Sequence, residues 1–99
     1  MKFNRIDNGV ETTLSVEGTL DAVTAPELRS VVDELVNEQR QSVTLDLSAL
    51  RLIDSSGVGV IVALFKRIRA VGGQVKIVGL RDQPKAIFRL LRLDRVFPM

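Results

Sequence analysis

Hydrophobic and polar positions alternate early in the chain and then change period. After a first run at 2–7, residues 10–17 alternate cleanly, with Val10, Thr12, Leu14 and Val16 on one face and Glu11, Thr13, Ser15 and Glu17 on the other. That is the period of half-buried strands. Between them Asn8-Gly9 reads as a type I′ hairpin turn. Gly18 to Val23 reads as a loop. From Thr24 the spacing becomes helical: Leu28, Val31, Val32, Leu35 and Val36 form one stripe, Pro26 suits the first turn, and Thr24 with Glu27 predicts a capping box. Val43–Leu47 is a second strand region, with Leu52-Ile53 extending its apolar character. A second helix is predicted from about Ser56 to Val71, stopped by Gly72-Gly73. Its first half, Val58 to Phe65, is apolar nearly all round, so it should lie against a sheet. Gln74–Leu80 is a third strand region. Asp82 caps a third helix that buries Ile87, Phe88 and Leu91, and Val96-Phe97 reads as a short last strand. The expected fold is α/β: one domain over 1–99, a mixed sheet of four to five strands opened by an antiparallel hairpin, with about three helices packed against it.

Composition narrows the chemistry. The 99 residues contain no His and no Cys, which removes imidazole bases, thiolate nucleophiles and the usual zinc ligands. No Ser-x-x-Lys spacing and no Walker lysine pattern is present. Four Phe without Tyr or Trp offer no rich base-stacking platform, so nucleic acid is not an expected partner. The expectation is a protein that is not an enzyme and needs no metal or cofactor. The N-terminal segment lacks the apolar run of a signal peptide or membrane span, which suggests a cytoplasmic protein. The net charge of +2 hides an asymmetry: residues 1–65 hold five Lys/Arg against ten Asp/Glu, whereas residues 66–99 hold nine against two. Such a basic half suits dipole-matched helix ends, an acidic partner or an anionic surface.

Asp54-Ser55-Ser56-Gly57-Val58-Gly59 lies between a strand end and the long apolar helix. Ligands and partners of open α/β sheets usually reach such a crevice. Two hydroxyls stand at a helix mouth, where free N–H groups carry partial positive charge, and Gly57 and Gly59 let another backbone or a phosphate come close. A serine ahead of an apolar helix is also an ordinary N-cap. The residues alone leave cap and acceptor both open.

Three stretches give the chain a family resemblance. Gly18-Thr19-Leu20-Asp21 with Ala25-Pro26-Glu27-Leu28, then Leu45-Asp46-Leu47-Ser48 before Ile53-Asp54-Ser55-Ser56-Gly57-Val58-Gly59-Val60, and finally Gly72-Gly73 with Ile87-Phe88 and Leu91 resemble the STAS family. Within it the likeness is to the small anti-anti-sigma factors (anti-sigma factor antagonists) of bacterial partner-switching systems. The resemblance implies a signalling switch in transcription regulation. The unphosphorylated protein binds a GHKL-type serine kinase that is also the anti-sigma factor, releasing its target; phosphorylation ends the interaction and a serine phosphatase resets it. It assigns the phosphoacceptor to Ser55, with Ser56 the second choice and otherwise a helix cap, and places Asp21 and Asp54 beside it. Ser56, Gly57, Val58 and Gly59 complete the phosphosite and partner-binding segment. Thr19 departs from the pattern, since many members carry an acidic residue there. A second reading is a STAS accessory subunit of a membrane transporter complex that is not phosphorylated.

Overall fold

The computed structural model describes residues 1–97. The chain runs β1 (Lys2–Asn8), β2 (Glu11–Leu20), α1 (Ala25–Asn37), β3 (Ser42–Asp46), β4 (Leu50–Ile53), α2 (Ser55–Ala70), β5 (Gln74–Val78) and α3 (Asp82–Leu90), followed by a 3-10 turn at Leu93–Arg95. Five strands form one mixed sheet in the order β1-β2-β3-β5, with β4 pairing β2 beyond the end of β3. The β1–β2 pair is antiparallel, from Lys2 opposite Glu17 to Asn8 opposite Glu11. The β2–β3, β2–β4 and β3–β5 pairs are all parallel. The expected hairpin-led α/β sheet with three helices is therefore present.

The hairpin turn differs from the expected one. Asn8 already belongs to the ladder, and the two-residue loop is Gly9-Val10, with positive φ (63°) at Gly9 alone. Glycine at the first central position is the type II′ pattern, which matches strand twist as well as type I′ does. Val10 consequently leaves the strand and is 70% exposed, while Thr12, Leu14 and Val16 keep the inward face. Arg40 clips this turn from below: its Nη2 donates to the carbonyls of Gly9 (2.8 Å) and Glu11 (2.9 Å), and its Nε to Thr12 Oγ1 (2.7 Å).

Strand β2 runs on to Leu20, through residues expected to form a loop, because it has a second partner. Its pairing with β3 ends at Ser15, and from Gly18 on it pairs with β4, with a register shift between Gly18 and Thr19. Leu52-Ile53 accordingly belongs to a separate strand and does not extend the one before it. The stripe of α1 behaves as its spacing predicts, with Leu28, Val32 and Leu35 fully buried. The Thr24–Glu27 capping box does not form: the Thr24 hydroxyl donates to Thr19 O (2.8 Å) and accepts from Asp21 N (2.9 Å). The β2–α1 loop uses that hydroxyl before the helix can.

The helix α2 buries Val58, Val60, Ile61, Leu64 and Ile68. It ends as expected: Gly72 has φ 84°, Gly73 N donates to Ile68 O and Gly72 N to Arg69 O, the paired bonds of a Schellman motif. The basic residues of its last turns also find partners. Arg67 pairs with Asp33 on α1, and the Arg69 guanidinium lies 5.3 Å from the Phe65 ring centroid.

The C-terminal part departs most from expectation. Strand β5 stops at Val78, before a Gly79 with φ 77°. Asp82 is the first helical residue of α3, with φ 55°, and the cap position is Arg81. Phe88 is buried, but Leu91 is 51% exposed. Val96-Phe97 does not form a strand. Phe97 instead closes the core, 4.7 Å from the Phe65 ring in an edge-on pair and 5.9 Å from Phe88.

Candidate functional site

The parallel strands β2 and β4 end together. Leu20 pairs with Ile53, and Asp54 N donates to Leu20 O at 3.1 Å. This register sets Asp21 and Asp54 side by side at the carboxyl end of the sheet, where the β2–α1 loop meets the first turn of α2. Sequence-distant segments, 18–24 and 54–59, are thereby joined.

At the mouth of α2 the cap is Asp54. Its Oδ1 accepts from Ser56 N (2.9 Å) and Gly57 N (3.1 Å), and its carbonyl accepts from Val58 N (3.0 Å). Ser56 is therefore a half-buried first-turn residue and not the cap. The anion cradle expected at this helix mouth is already filled by the Asp54 carboxylate. Ser55 follows the cap as the first helical residue and is exposed. Neither serine hydroxyl is used for capping, and the exposed Ser55 follows the Asp54 cap at the positive end of the helix dipole.

The two glycines differ. Gly57 is buried, and a Cβ there would lie 2.6 Å from Leu20 Cγ, 2.8 Å from Leu20 O and 2.9 Å from Ile53 Cγ1. The close approach it permits is that of α2 onto its own sheet. A Cβ on Gly59 would meet nothing within 4 Å. Val58 is buried too. Of the segment, then, Ser55 and Gly59 face outward, while Gly57 and Val58 hold the helix in place.

Asp21 is occupied within its own loop. Its Oδ1 accepts from Val23 N (2.9 Å) and Thr24 N (3.1 Å), with Thr24 Oγ1 at 3.2 Å. The Thr24 amide above all, with Val23's, holds this carboxyl below its ordinary value, against the opposing effect of desolvation. A carboxylate so bound stays ionised and keeps the loop rigid.

Three contributors are not legible as site residues in the sequence. Val23 (83% exposed) in the β2–α1 loop and Leu52 (51% exposed) on β4 leave apolar side chains in solvent. From α3, Gln83 pairs its amide with the unpaired edge of β4: its Oε1 accepts from Ile53 N and its Nε2 donates to Ile53 O, both at 2.9 Å. A lone glutamine in a first helical turn carries no signal of such a role.

Known proteins resemble this chain in sequence and in fold. Residues 4–99 match the STAS domain family. An anti-sigma-B factor antagonist of Listeria monocytogenes is 31% identical over 81 residues, covering 82% of this chain and 71% of that one. The anti-sigma-B factor antagonist of Bacillus subtilis is 31% identical over 89 residues, 90% of this chain and 81% of its own. The crystal structure of an anti-sigma factor antagonist from Mycobacterium paratuberculosis superposes with a TM-score of 0.88 at 26% identity, covering 98% of this chain and 82% of that one.

Proposed function

The chain belongs to the STAS domain family, and from that premise we propose that it is an anti-sigma factor antagonist whose binding is switched off by phosphorylation of Ser55. In this reading the unphosphorylated protein covers a serine-kinase anti-sigma factor with the surface around Ser55, and the target of that factor is freed. The kinase then transfers the γ-phosphoryl group of ATP to Ser55 Oγ, whose proton leaves to solvent or to a base on the kinase. The product is a phosphoserine and ADP. A serine phosphatase hydrolyses the ester and restores the binding form. The chain itself supplies an acceptor and a surface; catalysis belongs to the partners. Ser56 remains the second-choice acceptor.

The observation that carries the proposal is the division of labour at the mouth of α2. Asp54 does the capping, which leaves an exposed hydroxyl at the first helical residue. A phosphate there adds about −1.5 to −2 charges at a position the helix dipole tolerates. It also lies beside Asp54 and near Asp21, so the added negative charge acts outward, against a partner surface shaped for a neutral hydroxyl. The fold is left intact and the contact is lost.

The test is incubation with ATP, Mg²⁺ and a serine-kinase anti-sigma factor, read by intact mass and site mapping. Wild type and Ser56→Ala should gain one phosphate and Ser55→Ala none. Phosphate on Ser56 with Ser55 unmodified would overturn the assignment. The transporter-subunit reading is favoured by no observation at this site; it predicts no phosphate gain in any variant.

A further inference from the structure

The C-terminal end of α3 leaves aliphatic side chains in solvent. Leu90, the last helical residue, is 76% exposed, and Leu91 and Val96 are half exposed. Backbone bonds make residues 89–96 a compact tip: Arg92 N donates to Arg89 O, Arg95 N to Arg92 O, and Val96 N to Leu93 O. Leu93 packs against the core and Phe97 lies within it, so the tip is anchored at its base. The core takes those two residues and leaves Leu90, Leu91 and Val96 outside.

Cations are interspersed with these side chains. Lys85, Arg89, Arg92 and Arg95 are all exposed. Among the described residues none of the four joins an ion pair, whereas Arg67 on α2 does. The one carboxylate within the tip is Asp94. Arg92 also holds the left-handed conformation (φ 58°) that favours glycine after a helix. A cation therefore occupies the place where glycine would be least strained.

We infer that this tip docks on an anionic lipid surface, separately from the switch at Ser55. Leu90, Leu91 and Val96 enter the boundary between headgroups and acyl chains, while Lys85, Arg89, Arg92 and Arg95 meet the lipid phosphates and carboxylates. Long basic side chains suit this position, because their stems lie along apolar surface while their charges stay at the headgroups. Protein hot spots and single-stranded nucleic acid sites draw on aromatic rings, and no ring is exposed among the described residues. A second copy of this chain would bring the same four cations to the contact, and like charges so placed are repulsive.

The experiment mixes the full chain with vesicles of phosphatidylcholine alone or of phosphatidylcholine with phosphatidylserine, and reads cosedimentation. Partitioning onto the phosphatidylserine vesicles should be at least about tenfold stronger, and should weaken as salt rises. Leu90→Ser with Leu91→Ser, and separately Arg92→Glu with Arg95→Glu, should each lower it by at least about tenfold. Urea unfolding checks that both variants keep the fold. The chain has no Trp, so Leu90→Trp supplies a single probe whose emission should shift to the blue on phosphatidylserine vesicles alone. Equal binding to both vesicles, an unaffected leucine variant or unshifted Trp emission would overturn lipid docking. Tighter binding to soluble poly-glutamate than to vesicles would also overturn it, in favour of an acidic protein. A vesicle-free dimer abolished by the leucine substitutions would do so in favour of a second copy.

Discussion

Replacing Gly57 and Gly59 by alanine, one at a time, should move stability in opposite directions. Both lie in the first turns of α2 and neither has positive φ, so helix propensity alone favours alanine at each by about 0.5–1 kcal/mol. At Gly59 nothing opposes this gain, since a Cβ there meets no atom within 4 Å. At Gly57 the new Cβ would stand 2.8 Å from Leu20 O and 2.6 Å from Leu20 Cγ. That carbonyl cannot easily retreat, because it accepts the hydrogen bond from Asp54 N that joins β2 to the mouth of α2. Forcing a methyl group into a packed contact costs about 1–3 kcal/mol. The net expectation is about 0.5–2 kcal/mol of destabilisation for Gly57→Ala and up to about 1 kcal/mol of stabilisation for Gly59→Ala. For a domain of this size each kcal/mol moves the Tm by about 4–8 °C. Urea unfolding and thermal scans on the three proteins measure this directly. A Gly57→Ala protein as stable as wild type would refute the packing argument. A destabilised Gly59→Ala would show that this turn is less open than its surroundings indicate.

Ser55→Asp should fold normally, within about 1 kcal/mol of wild type, yet bind a kinase partner at least about tenfold more weakly, whereas Ser55→Ala should bind as wild type does; calorimetric titration distinguishes them. Arg40→Ala should cost about 1–3 kcal/mol in urea unfolding, because it strips three hydrogen bonds from the β1–β2 turn and leaves the buried Thr12 hydroxyl a partner short. Gln83→Ala should speed hydrogen exchange at the Ile53 amide and cost about 1–2 kcal/mol, since it exposes the β4 edge. Asp7 and Glu38, each held below its ordinary value chiefly by hydrogen bonds from Arg5, and Asp21, held there by loop amides, stabilise the fold when ionised. Their contribution is complete at neutral pH and is lost as the pH falls below about 4 toward their lowered values. The urea midpoint should drop across that interval, and Asp21→Asn should flatten the drop; a pH-independent midpoint would contradict it.

Local pattern was enough for the elements whose burial is one-sided. The alternation through Thr12, Leu14 and Val16, the stripe of Leu28, Val32 and Leu35, and the Gly72-Gly73 stop each state in sequence the face or end they adopt, because a period or a missing Cβ encodes it locally. The Asp54–Gly59 segment was legible for a similar reason, as a polar interruption between a strand and an apolar helix. What depended on residues far apart in sequence was not. Whether Thr24 caps α1 is settled by the carbonyl of Thr19, which accepts from its hydroxyl. The fate of Phe97 depends on Phe65 and Phe88, neither near it in the chain. The separation of β4 from β3, the pairing of Gln83 with Ile53 and the terminal place of β5 in the sheet are properties of strand order. Strand order is chosen by the summed pairing and burial of the whole sheet, and no window of sequence contains that sum.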